Sequence, residues 1–207
     1  IPNMPGQLAR GGRLQMARVK HKAKADTRSG QPDGVEYEID WVDIKDPDPS
    51  GAEQNPSLVL EQGLAEGCMV FARLEGIWYG NGHLYLNSTN GGDKKLGQIW
   101  RYTPRGDEGV LKLIFESKDA KVLKAPDNLC VSPRGGLVIC EDGEAPNHIR
   151  GLTPEGLVFD FAKNLLKGGD SEFAGSCYSP DGRTLFFNLM YPGHTLAVWG
   201  PFERGVL

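Results

Sequence analysis

At 207 residues, with 39% apolar and 24% charged residues, the chain holds one domain or two small ones and enough apolar material for a core. Its net charge of -4 argues against a nucleic-acid or membrane-surface binder, and no apolar run approaches the roughly 18 residues of a membrane span. The 28 glycines and 14 prolines, about a fifth of the chain, follow no three-residue period and point to many turns between short strands.

Residues 1–67 are weakly patterned. Gly11 to Lys20 and Val35 to Ile44 read as strands, the second alternating apolar and polar residues as a half-buried strand does. His21 to Gly34 and Asp46 to Ser50 read as loops. Residues 56–67 suit one short helix with Ser57 as N-cap and Gly63 or Gly67 at its end. Cys68, Cys130, Cys140 and Cys177 show no metal-site spacing and read as plain buried thiols. The chain begins at Ile1 with no signal-peptide pattern, so a mature piece or fragment is expected.

Residues 68–207 repeat. Glu75 to Asn87, Asp127 to Glu141 and Glu172 to Asn188 each run apolar, turn at a glycine, and run apolar again. The turn glycines Gly82, Gly135 and Gly182 are 53 and 47 residues apart, and the Thr-Pro pairs ending at Pro104 and Pro154 are 50 apart. Two marks with one period and one order predict a β-propeller blade per unit; the alternative is a β-sandwich with similar hairpins. The fold class expected is all-β, a partial and open propeller with about three to four blades. A chain of this length is then a C-terminal fragment of a larger propeller, with residues 1–67 supplying incomplete blade strands, a connecting loop and a short helix.

Hairpin arithmetic turns the repeat into a site. Folding each unit about its turn sets Asp127 near Glu141, Glu75 near Asn87, and Glu172 and Gly175 near Asn188, all at the end away from the turns. With the innermost strands around a channel, Glu75, Asp127, Asn128, Glu141, Asp142 and Glu172 crowd one mouth. Singly, each acidic residue reads as a turn or solvated loop end. Together they repel one another, and hard cations with oxygen ligands, calcium above all, relieve this. Asp107 and Asp181 belong to the opposite turns. Arg73 shares a strand face with Glu75 and offers a planar fork to an oxyanion; the alternative is a structural Arg–Glu ion pair. Arg101 and Arg150 read as strand-surface charges, and His83, His148 and His194 as non-ligands. No nucleophile elbow or phosphate-binding glycine loop is present.

Phe71-Ala-Arg-Leu-Glu-Gly-Ile-Trp78, Gly97 to Tyr102, Ala125-Pro-Asp-Asn-Leu129 through Gly136, Cys140-Glu-Asp-Gly143, Ser171-Glu-Phe-Ala-Gly175 and Ser179-Pro-Asp-Gly182 resemble the PhoX-type alkaline phosphatases, from about Gly11 to Pro201. The resemblance implies a six-bladed propeller, a calcium- and iron-dependent phosphomonoesterase, and a periplasmic or extracellular location. It also implies that Arg73 contacts phosphate and that Glu75, Asp127 and Glu172 bind metal; Glu141 is added as a ligand from the hairpin geometry. None of the four cysteines matches the family's iron-binding motif. The expected partner is a small phosphomonoester, with no nucleic acid, no membrane span and a monomeric state. The rival readings are a calcium-dependent propeller lactonase and a non-catalytic interaction propeller.

Overall fold

The computed structural model describes residues 1–166 and 171–207. Its strands in chain order are β1 (Gln15–Val19), β2 (Glu36–Asp43), β3 (Leu74–Gly80), β4 (His83–Ser88), β5 (Gln98–Arg105), β6 (Glu108–Glu116) and β7 (Pro126–Val131). They continue as β8 (Leu137–Glu141), β9 (His148–Leu152), β10 (Val158–Lys163), β11 (Phe173–Tyr178), β12 (Thr184–Leu189) and β13 (His194–Trp199). One helix, α1 (Leu58–Ala65), precedes β3.

Three antiparallel sheets result. The strands β3 to β6 and β7 to β10 each form a four-stranded meander, and β11 to β13 form three strands of the next. Each sheet thus covers one period of the sequence repeat, and β7 packs between β3 and β11. This is the expected all-β, open propeller, with β3, β7 and β11 as neighbouring innermost strands. The early strands join the first blade at its outer edge: β2 pairs with β6, with Glu36 opposite Lys112, and β1 pairs with β2.

Turn chemistry sets the hairpins. Asn81 and Gly82 both have positive φ, 54° and 80°, which suits the two-residue turn whose twist matches its strands. In the third hairpin the Ser179 hydroxyl donates to Asp181, whose carboxylate also accepts from the Arg183 N–H. That bonding holds the Asp181 pKa below its ordinary value and confirms a turn role.

The core lies between the sheets. Every residue of β8 is buried, because both of its faces are covered. Leu137 and Ile139 pack with Tyr85, Ile99 and Leu129 toward the first blade. Val138 and Cys140 point the other way, packing with Cys130, Phe173, Leu185 and Phe187. A continuous apolar strand with period-two sorting is what two-sided burial requires. All four cysteines are free; Cys68, Cys130 and Cys140 are buried as expected while Cys177 is half-buried, and burial pushes Cys130 up to about 11 and Cys140 up to about 12.

The helix departs in two details, although Gly67, at φ 82°, lies just past its end as expected. Ser57 precedes it but its side chain caps nothing; its backbone N–H instead donates to Asn55 Oδ1 at 3.1 Å. Gly63 lies inside the helix rather than at its end, against Met16, where any Cβ would overlap the thioether sulfur.

Candidate metal centre

The site is built by irregularity in otherwise regular strands. Pairing slips at the same level in each innermost strand: between Leu74 and Ile77, between Pro126 and Asn128, and between Ala174 and Cys177. A bulge adds a residue to one strand and re-aims the side chains around it. Glu75 and Asp127 occupy two of these bulges. The residues leading into them, Arg73 and Ala125, have φ of 45° and 41°, a left-handed region uncommon for residues with a Cβ.

Three carboxylates converge. Oxygens of Asp127, Asp142 and Glu172 lie within 4.8 Å of one another, and all three side chains are half-buried. Asp142 is held in place by its backbone N–H, which donates to Ala125 O at 2.9 Å. Burial, then the charges of Glu75 and Asp142, raise the Asp127 pKa, with Arg73 opposing. The Glu172 carboxyl is raised for the same reasons, first burial and then Asp142 and Asp127. These acids therefore repel, and the one cation that counters them in both cases is Arg73.

Arg73 bridges the group. Its Nε lies 3.4 Å from Glu75 Oε1 and its Nη2 lies 3.5 Å from Asp142 Oδ2. The side chain is 49% exposed, so part of the guanidinium fork still faces solvent. The three converging donors are all carboxylate oxygens, from separate strand ends, the kind of ligand that hard cations take. No thiolate stands with them among the described residues, because the cysteines face the apolar layers.

Asn87 adds a buried polar group. It is fully buried, and neither its Oδ1 nor its Nδ2 has a hydrogen-bond partner among the described residues. It sits under the Glu75–Gly76 bulge: a Cβ placed on Gly76 would lie 3.0 Å from Asn87 Oδ1 and 2.9 Å from the Asp127 carbonyl oxygen. Gly76 thus lets β3 approach β7 closely. Gly76→Ala is expected to separate these strands, at a cost of about 1–3 kcal/mol, and to weaken cation binding. Chemical denaturation and a calcium titration of thermal stability measure both effects; a variant with unchanged stability and calcium response would show that the approach is not needed.

Glu141 requires correction. The structure does not bring it to the carboxylate group. Its side chain is fully buried and accepts from Arg150 Nε at 2.8 Å, from the His148 backbone N–H at 2.9 Å and from the Lys124 N–H at 3.2 Å. Neighbouring residues at the end of a strand point to opposite sides, so Asp142 rather than Glu141 faces Asp127. Arg150, expected on a strand surface, is 1% exposed and is the cation that Glu141 neutralises. No sequence signal separated the two acids, since β8 is apolar on both faces up to Glu141.

The family model described as alkaline phosphatase PhoX matches residues 3–193. Comparison with curated proteins finds no significant match. Among solved structures, one titled "Streptogramin B lyase structure" is similar at 14% identity and a TM-score of 0.40, over 81% of this chain and 51% of that one. The chain therefore spans about half the length of that structure. With nearly its whole length matched, including every residue of the carboxylate group and Arg73, the chain belongs to the PhoX alkaline phosphatase family.

Proposed function

We propose that this chain supplies part of a phosphomonoesterase site in which Glu75, Asp127, Asp142 and Glu172 hold cations and Arg73 holds the phosphoryl group. The observation that carries the reading is the placement of one half-exposed guanidinium against Glu75 and Asp142, beside Asp127 and Glu172, whose pKa values burial and the neighbouring carboxylates raise. The all-oxygen donor set suits calcium. Iron, which the family resemblance implies, would take the same carboxylate oxygens here. The substrate class is a small phosphomonoester, and the location that goes with the family is the periplasm or the cell exterior.

When bound, such cations polarise phosphoryl oxygens and neutralise the charge that builds on them. The protein's own part is positioning. Glu75, Asp127, Asp142 and Glu172 would hold the cations, and the solvent-facing fork of Arg73 would bind the phosphoryl oxygens, bidentate bonding fixing their orientation. Glu75 and Asp127 each sit in a strand bulge, which supports a shared role at this end of the strands.

Hydrolysis of p-nitrophenyl phosphate, with and without chelator, tests this on the chain and on any longer polypeptide that contains it. Chelator-sensitive turnover is expected, and none in either preparation sinks the reading. Arg73→Ala is expected to lower kcat/KM by about 10²–10³, with Arg73→Lys recovering only part because it keeps the charge but loses the fork. A calcium lactonase would keep its turnover in Arg73→Ala, and a non-catalytic propeller would bind no cation.

A further inference from the structure

Beside the carboxylate group lies a cleft of opposite character. Lys95, Lys121, Lys124, His148 and Arg150 line a cavity of about 580 Å³ between the first and second blades, and Glu144 is the acidic residue on its rim. These residues come from the β4–β5, β6–β7 and β8–β9 connections and from β9. All three connections lie at the strand ends opposite the glycine turns, the face that carries Asp127 and Asp142.

The two sites share walls. Lys124 is three residues before Asp127, a span of at most about 10 Å, and Gly143 follows Asp142 directly. The Ala125 N–H donates to Leu96 O and the Asp142 N–H to Ala125 O, both at 2.9 Å, which ties the lysine-bearing segments to the acidic strand ends. The Lys124 stem lies across Gly143, where a Cβ would come within 3.0 Å of it. Lys95 and Ala125 both line the cleft in the left-handed region, at φ of 55° and 41°. Backbone of that kind is uncommon outside sites where it is used.

The charges differ in freedom. Arg150 is committed to Glu141 and Asp160 and serves as a fixed wall. The lysines that form ion pairs among the described residues are Lys20, Lys45, Lys112 and Lys118. Lys95, Lys121 and Lys124 are not among them, and their ammonium groups remain available to an anion. A phosphomonoester seated at Arg73 would direct its organic part over the shared wall toward these three.

We propose that this cleft binds a second phosphate on the substrate, so that small bisphosphorylated molecules are preferred over simple monoesters. The proposal rests on the phosphomonoesterase reading of the adjacent centre, and the test separates the two. The first arm compares an alkanediol bisphosphate with the matching alkyl monophosphate, in the wild type and in Lys121→Ala/Lys124→Ala. The ratio of kcat/KM for the two substrates is expected to fall about tenfold in the variant, chiefly through KM, because a remote contact contributes equally to ground and transition states. An unchanged ratio overturns the proposal. The second arm needs no turnover: binding of inorganic pyrophosphate by calorimetry in excess EDTA, where the carboxylate group cannot hold an anion through a metal. Affinity is expected to drop about tenfold in the alanine variant, to return in Lys121→Arg/Lys124→Arg, and to weaken with salt as exposed charges are screened. Equal pyrophosphate affinity in wild type and alanine variant overturns the cleft. Absence of turnover with intact, lysine-dependent pyrophosphate binding retains the cleft as an oligophosphate site and rejects only the enzymatic reading.

Discussion

Glu141→Ala is expected to destabilise the fold by about 3–5 kcal/mol, the cost of leaving a buried charge without its partner. The Glu141 and Arg150 side chains are 0% and 2% exposed and meet at 2.8 Å. With the carboxylate gone, the guanidinium stays in the wall between blades beside His148 Nδ1 and with Asp160, 68% exposed, as its remaining anion. Two backbone N–H groups, of Lys124 and His148, lose their acceptor at the same time. Those groups anchor the segments that carry Asp127 and begin β9, so the damage spreads to both neighbours of β8. Asp160→Ala should cost under about 1 kcal/mol, as exposed ion pairs do. Denaturant unfolding of both variants checks the contrast. A loss below about 1 kcal/mol for Glu141→Ala would mean that water satisfies Arg150 and that the pair is not buried in solution.

Calcium is expected to raise the thermal midpoint at neutral pH, and Asp127→Asn is expected to move stability in opposite directions with and without the ion. Folding lifts the pKa of Asp127 and Glu172 above their ordinary values of 3.8 and 4.5. Groups raised in this way contribute stability in acid, below their unfolded pKa, and that contribution is lost as pH rises through the folded values. The metal-free protein is therefore strained at neutral pH by its own carboxylates, and acid relieves it. Bound cations relieve the same strain without protons. At a concentration 100 times the dissociation constant, one cation stabilises by about 2.7 kcal/mol, or about 5–10 °C for a chain of this size. The shift should fade as pH drops through the raised carboxyl values, because protons then compete for the oxygens. In EDTA, Asp127→Asn removes one repelling charge and should raise the midpoint; in calcium it removes a ligand and should abolish most of the shift. Calorimetric scans at several pH values measure this, and an Asp127→Asn variant that is destabilised in EDTA would contradict the electrostatic account.

Much of the architecture was legible in the sequence because a propeller is local. Each blade is a run of short hairpins, so strand number, turn positions and the period of about 50 appear directly as glycine and apolar spacing. The hairpin midpoint also showed which strand ends carry acidic residues, though not which of two adjacent acids faces Asp127. The arithmetic set Asp127 near Glu141 and Gly175 near Asn188; the pairs formed, Pro126 with Glu141 and Ala174 with Asn188, each lie one residue away. The buried thiols of Cys130 and Cys140 were equally legible, because both lie in apolar strands, while Cys177 is half-buried.

What only the tertiary structure decided was direction and pairing. Glu141 and Asp142 are adjacent and chemically alike, and the choice between them depends on the last residue at which β8 holds its alternation. Arg150 looks like a surface charge until the neighbouring sheet covers it and supplies Glu141. Arg73 reaches Asp142, 69 positions later, only because β3 and β8 both end at the same mouth. The pairing of β2 with β6 is likewise invisible in either strand, as it joins segments far apart in the chain. In each case the sequence specifies the local element through nearest-neighbour geometry. The partner across the gap is selected by packing among elements that no short-range pattern encodes.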